Sequence, residues 1–186
     1  EEGAHARDCF VQFVDGEIQF LEHGFDRAQS IRDTPMLPIS LVGNIAPDGS
    51  ADVVLTFRNV HNWMAGGYAE KVFADAYKAL KQGGVFGIEE HRLPSARDQD
   101  LAASTGYVLE SYVVQLAQKA GFVLEESSEI NANPKDTADH PLGVWMLPPN
   151  LRAPTAGTPA ALTYDAETYK AIGESGAFFT LAGGPL

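Results

Sequence analysis

Asp52-Val53-Val54-Leu55-Thr56-Phe57-Arg58-Asn59-Val60-His61-Asn62-Trp63, an amphipathic stretch to Lys81, then Gly83-Gly84-Val85-Phe86-Gly87-Ile88-Glu89-Glu90-His91: this run decides the fold. Asp52 to Phe57 is almost continuously β-branched or aromatic, which suits a strand buried on both faces of a parallel sheet. Gly66-Gly67 then marks a loop. Beyond it Val72, Phe73, Ala76, Tyr77 and Leu80 share one stripe at the helical period, while Glu70, Lys71, Asp75, Lys78 and Lys81 face away. Lys71–Asp75 and Asp75–Lys78 are spaced to pair across that exposed face. Gly83-Gly84 is expected to cap the helix, since glycine takes the left-handed conformation without penalty, and Val85 to Glu89 is the next strand. Strand, helix, strand makes one βαβ crossover, with polar residues gathered where each strand ends. In open α/β sheets that edge is where ligands bind.

Working outward, a polar linker from Arg92 to Ser104 leads to a second helix over about 109–120, with Val113, Leu116, Ala117 and Ala120 on its apolar stripe. Gly121 stands at the cap position and Phe122 can pack back on the last turn. Residues 122–128 read as a strand. Residues 131–163 form a long irregular segment carrying Trp145, and such segments are usually lids, binding loops or disorder. A short helix over 167–172 and a terminal strand over 177–181 follow. Upstream, Phe10 to Val14 and Glu17 to Leu21 flank Asp15-Gly16, the pattern of a β-hairpin. A helical turn or loop over 25–31 and a short strand over 39–42 are also expected. The alternation implies an α/β domain with a parallel sheet and a mixed edge.

Composition narrows the function. The 186 residues carry a net charge of −12, so phosphate backbones and anionic headgroups are repelled; neither a nucleic-acid partner nor a membrane is expected. No apolar run approaches the roughly 20 residues that span a bilayer. Cys9 is the only cysteine, which excludes an intrachain disulfide and a thiolate metal cluster. The chain starts at Glu1 with no signal-peptide pattern, so a processed chain or a piece of a longer one is expected, and its compartment, cytoplasmic or exported, is open.

Several strings together resemble the class I S-adenosylmethionine-dependent methyltransferases, and within them an uncharacterised bacterial group of predicted methyltransferases. They are Phe57-Arg58-Asn59-Val60-His61-Asn62-Trp63, Glu90-His91-Arg92, Asn131-Ala132-Asn133-Pro134-Lys135-Asp136, Gly143-Val144-Trp145 with Leu147-Pro148-Pro149, and Ala171-Ile172-Gly173-Glu174-Ser175. The resemblance covers about residues 37–175. It implies a partial Rossmann-like methyltransferase sheet, mostly parallel with an antiparallel last strand, in residues 37–186, preceded by a non-matching segment, 1–36. It also implies S-adenosylmethionine as cofactor and a small molecule as methyl acceptor. The family's glycine-rich G-x-G loop after the first strand is not found here. Gly66-Gly67, Gly83-Gly84 and Gly183-Gly184 lie in other places, so the activity is in doubt, and a non-catalytic remnant acting as a binding or scaffold protein is the alternative.

The resemblance assigns His61 the part of general base, because related O-methyltransferases place a His-Asp-Trp there. A histidine titrating near neutrality can take a hydroxyl proton as attack proceeds. The plainer reading is that His61 caps the following loop and Trp63 packs in the core. By fold analogy Arg58 and Asn59 meet the cofactor's amino-acid end, or else bond loop carbonyls. Trp63, His91, Arg92 and Trp145 are the candidate substrate-binding residues, His91 and Arg92 being equally readable as a surface turn. No metal site is expected, since His140, Asp136 and Asp139 lie in a loop without a fixed scaffold. A sheet lacking its first strands would expose an edge beside residues 39–42 or 52–57. The 10–21 hairpin is expected to cover it, and failing that the chain would form a homodimer edge to edge.

Overall fold

Alternating core-facing residues build the sheet that carries the site. The computed structural model describes residues 44–186 in full and, before them, the pairing of three strands, Cys9–Val14 (β1), Glu17–Glu22 (β2) and Leu37–Pro38 (β3). Next come Ala51–Phe57 (β4), the short helix Val60–Ala65 (α1), the helix Ala69–Ala79 (α2) and the long strand Leu80–His91 (β5). Helix Glu110–Ala120 (α3), strand Val123–Ser128 (β6), short helices Pro159–Thr163 (α4) and Ala166–Ile172 (α5), and strand Ala177–Gly183 (β7) complete the chain.

The strand order is β3-β2-β1-β4-β5-β7-β6. β4 pairs parallel with both β1 and β5, and β7 runs antiparallel between β5 and β6. Through these pairings β1, β3, β4, β5 and β6 share one direction and β2 and β7 oppose it. The sheet is a mixed α/β sheet with the last strand inserted antiparallel as expected, but its pairings are not mostly parallel: two of the six among the described strands are parallel and four antiparallel, because β7 is inserted antiparallel and β2 and β3 extend the sheet as an antiparallel edge. Val14 pairs with Glu17, so the expected hairpin turns through two residues, and β1 lies on the edge of β4 from Phe10↔Val53 to Phe13↔Thr56. The expected helical turn at 25–31 and strand at 39–42 lie outside the described residues.

One face of the sheet holds the core. Val54, Phe86, Ile88 and Phe178 meet Trp63 of α1, Val72, Phe73 and Ala76 of α2, and Val113 and Leu116 of α3. Phe73 stands edge-on to Phe86 at 5.4 Å between ring centroids and Tyr77 to Phe122 at 5.1 Å, the geometry aromatic quadrupoles prefer. Gly121 ends α3 in the left-handed conformation (φ 111°), as its position promised.

Three local expectations are corrected. α2 stops at Ala79, because Leu80 turns extended and pairs with Ala51; Gly83-Gly84 lies inside β5. The register of β5 shifts between Ala51 and Val53, and Gly83 (φ 75°) serves that irregularity rather than a helix cap. Asp75 is buried, not exposed, and is held by Lys71 one turn earlier. Ahead of the loop expected at Gly66-Gly67 an additional short helix forms, α1, opened by the Asn59 backbone carbonyl, which accepts the N–H of both Asn62 and Trp63.

Candidate active site

The site is made where neighbouring strands end. β4 finishes at Phe57, and Arg58 reverses the chain with a φ of 54°, sparsely populated for a side-chain-bearing residue. That turn sends Asn59 and α1 back over the sheet, so His61 sits directly above the end of β5. Within β5, Phe86, Ile88 and Glu90 alternate onto the core face. All three are fully buried, so a carboxylate takes the place where the apolar stripe would continue. β7 starts beside the end of β5, with His91 paired to Ala177, which brings Ser175 and Gly176 alongside.

Glu90 collects these elements. Its Oε1 is 2.9 Å from His61 Nδ1 and accepts the backbone N–H of His91 at 2.8 Å, while Oε2 accepts the backbone N–H of His61 at 3.0 Å. Burial alone would raise this carboxyl, but the His61 hydrogen bond and the neighbouring imidazoles outweigh it and hold the group below the usual carboxylate range. His91 is pushed down to about 4, chiefly by burial, with the Glu90 charge opposing. His91 is thus neutral at pH 7, and its Nδ1 is hydrogen-bonded to the Ser175 hydroxyl. The two imidazoles lie 5.2 Å apart between centroids, with the half-buried Trp145 edge-on to His61 at 6.1 Å.

A second network holds this arrangement from behind. Asp136 accepts the Tyr107 hydroxyl at 2.8 and 3.0 Å, the Gly176 N–H at 3.0 Å and the Ala138 N–H at 2.9 Å, and meets His140 Nε2 at 3.0 Å. Burial, then the Asp136 charge and hydrogen bond, raise the Tyr107 hydroxyl well above its ordinary value. Asn133 donates to the carbonyls of Ile172 and Glu174, strapping residues 131–136 to the segment that carries Ser175.

Of the residues singled out in the sequence, His61, His91 and Trp145 come together. Trp63 does not join them: it is fully buried in the core against Phe73, 6.2 Å between centroids. Arg92 binds Glu110 and Glu129 and lies over the Phe178 ring, so it fastens β5 to α3 and the chain after β6. Arg58 is engaged by Glu89 at 3.3 Å and Glu174 at 2.7 Å. The Asn59 amide donates to the Phe57 carbonyl at 3.2 Å and accepts from Asn62 at 3.3 Å. Asp136 was weighed only with His140 and Asp139 as a metal site, and His140 does meet it; Glu90, Ser175 and Tyr107 were given no role. For Glu90 a signal existed, a charge that follows Phe86 and Ile88 at the same alternation on one strand face; for Ser175 and Tyr107 the contact joins residues far apart in the chain.

S-adenosylmethionine fits the described residues poorly. The two groups the resemblance gives to its amino-acid end, Arg58 and Asn59, already hold the strand ends, and β1 is paired antiparallel with the strand that follows it, β2, rather than parallel to it as a βαβ cofactor unit requires.

No protein-family profile matches the sequence, and no curated protein matches it closely enough to count as a relative. Among solved structures, the chain is similar to the (4+2)-cyclase SpnF, at 14% identity and a TM-score of 0.49, over 81% of this chain and 55% of that one. It is similar to a SAM-dependent methyltransferase from Aquifex aeolicus, at 11% identity and a TM-score of 0.44, over 80% and 54%. A SAM-dependent methyltransferase from Methanosarcina mazei matches at 11% identity and a TM-score of 0.43, over 76% and 62%. The chain spans little more than half the length of these structures.

Proposed function

We propose that this chain takes a proton from a small-molecule acceptor at the carboxyl edge of its sheet, with His61 as the base and Glu90 as the residue that orients it. The observation that carries the reading is the 2.9 Å contact between His61 Nδ1 and a fully buried carboxylate. A carboxylate there favours the tautomer with hydrogen on Nδ1, which leaves the Nε2 lone pair to accept a proton. When an acceptor hydroxyl is deprotonated, its proton moves to Nε2 and the electron pair stays on oxygen, the nucleophile that a methyl-transfer reaction needs. His91, Ser175 and Trp145 wall the same place and would position the acceptor.

Methyl transfer from S-adenosylmethionine is the reaction class supported by the fold and by the resemblance, an inference by analogy, since one fold hosts many chemistries. The poor fit of the described residues to that cofactor favours a second reading, a methyltransferase-like fold that binds a small molecule without turning it over. In either case the net charge of −12 argues for a small molecule over a nucleic acid. Among the described residues no helix is long and apolar enough to cross a membrane.

Calorimetric titration of the folded chain with S-adenosylmethionine separates the two. A dissociation constant below about 1 mM, equivalent to more than about 4 kcal/mol, supports the enzyme. Absence of heat at millimolar cofactor, with a native circular-dichroism spectrum, supports the binding protein.

A further inference from the structure

His61, Glu90 and His91 each offer one ligand atom, and these atoms lie within 4.8 Å of one another. All three side chains are buried, at 6%, 0% and 8% exposure. Glu90 and His91 end β5 and His61 lies in α1, which follows the end of the neighbouring β4; the 136–140 loop lacks such a scaffold. We propose that they form a binding site for one divalent transition-metal ion of the zinc and cobalt type, which on binding His61 Nδ1 would displace the hydrogen from Nδ1 to Nε2 and so oppose the base.

The donor set selects the metal class. Two imidazoles and one carboxylate suit borderline divalent ions such as zinc, cobalt, nickel and ferrous iron, whereas magnesium and calcium require a shell of oxygens. The spacing is within reach of small adjustments. Tetrahedral bonds of about 2.0–2.2 Å place adjacent ligands about 3.3–3.6 Å apart, so His61 Nδ1 and Glu90 Oε1, 2.9 Å apart as a hydrogen-bonded pair, would open slightly around an ion. The third donor lies within 4.8 Å of both and would close by at most about 1.5 Å on the same geometry.

The outer contacts resemble those of a supported site. Ser175 holds His91 through Nδ1, which leaves Nε2 to offer a lone pair, and backbone N–H groups of His61 and His91 fix both oxygens of Glu90. Glu90 already accepts three hydrogen bonds, and a dication would add a full positive charge to a carboxylate buried on the core face of a central strand. The remaining histidine cluster is poorer. His140 meets Asp136, but Asp139 is turned to the Thr137 hydroxyl.

The inference does not depend on methyl transfer; an ion on His61 Nδ1 leaves the ring hydrogen on Nε2, where it silences the base. The test is a titration of the full chain with Co²⁺, followed by visible absorption, with Zn²⁺ as competitor. One equivalent should give ligand-field bands that Zn²⁺ abolishes. His61→Gln and His91→Gln should each weaken binding at least tenfold. His140→Gln and the double variant His5→Ala/His23→Ala should leave it unchanged. Should a variant fail to fold, the same question is put to the unaltered chain by nitrogen NMR: Zn²⁺ should shift the ring nitrogens of His61 and His91 and leave those of His140 in place. Binding that survives His91→Gln, binding lost with His140→Gln or with His5 and His23, or Zn²⁺ shifts confined to His140 would each overturn the proposal. None of these readouts involves S-adenosylmethionine, so this inference and the proposed function fail separately.

Discussion

Replacing Glu90 by leucine sets two large effects against each other. The position is fully buried on the core face of β5 in line with Phe86 and Ile88, so area alone says that leucine stabilises, by about 1.5–3 kcal/mol for a buried aliphatic side chain. The carboxylate, however, accepts three hydrogen bonds, from the backbone N–H of His61, the backbone N–H of His91 and the His61 ring. Each buried donor left without an acceptor costs about 1–3 kcal/mol, so the three together cost about 3–9. At the centre of these ranges the polar loss wins by about 4 kcal/mol. Glu90→Gln, which keeps one acceptor oxygen, should lose about half as much on the same scale. Urea denaturation at pH 7 measures both, and a fall in midpoint temperature of about 2–4 °C per kcal/mol is expected for a domain of this size. A Glu90→Leu chain as stable as the unaltered one would refute the claim that this carboxylate organises the strand ends.

Three further outcomes follow from the same contacts. His91 is held near 4 in the folded chain against an ordinary 6.5, so its neutral form stabilises the fold fully above about pH 6.5 and that stability drains as the pH falls towards 4. The difference is about 3 kcal/mol, and His91→Gln should flatten the stability profile across that window in denaturation curves taken from pH 7 to pH 4.5. Asp136→Ala strands the Tyr107 hydroxyl and the Gly176 N–H, costing about 2 kcal/mol or more, and hydrogen exchange at Gly176 should quicken while that of core amides in β5 does not. Removing residues 1–36 takes β1 from the edge of β4. Light scattering should then show association, and a truncated chain that stays monomeric and equally stable would remove the hairpin's covering role.

Much of the fold is legible because local signals agree with it. The β-branched run at 52–57, the helical stripe from Val72 to Leu80, Gly121 after α3 and Asp15-Gly16 between two alternating strands each point to the element that forms. Gly83-Gly84 misleads because a glycine pair serves a strand irregularity as well as a helix cap, and only the pairing of Leu80 with Ala51 decides between them. Asp75 misleads because the helical period marks its face but not the Lys71 ammonium that lets it be buried. In the site, His61, His91 and Trp145 were readable from their places at strand ends and in a long loop. The Glu90 that organises them was readable only as a misplaced charge in an apolar alternation. Asp136 was readable beside His140, four residues on, but its contact to Gly176, 40 residues away, was not, nor was that of Ser175 to His91, 84 residues away.

The tautomer of His61, read from two-bond nitrogen–proton correlations of the imidazole-labelled chain at pH 7.5, decides whether Glu90 sets this histidine up as a base. Hydrogen is expected on Nδ1, facing Glu90, with Nε2 unprotonated and open to a proton, and this preference should weaken in Glu90→Gln. A His61 ring that carries its hydrogen on Nε2, or one whose tautomer is indifferent to Glu90, would contradict that role for Glu90.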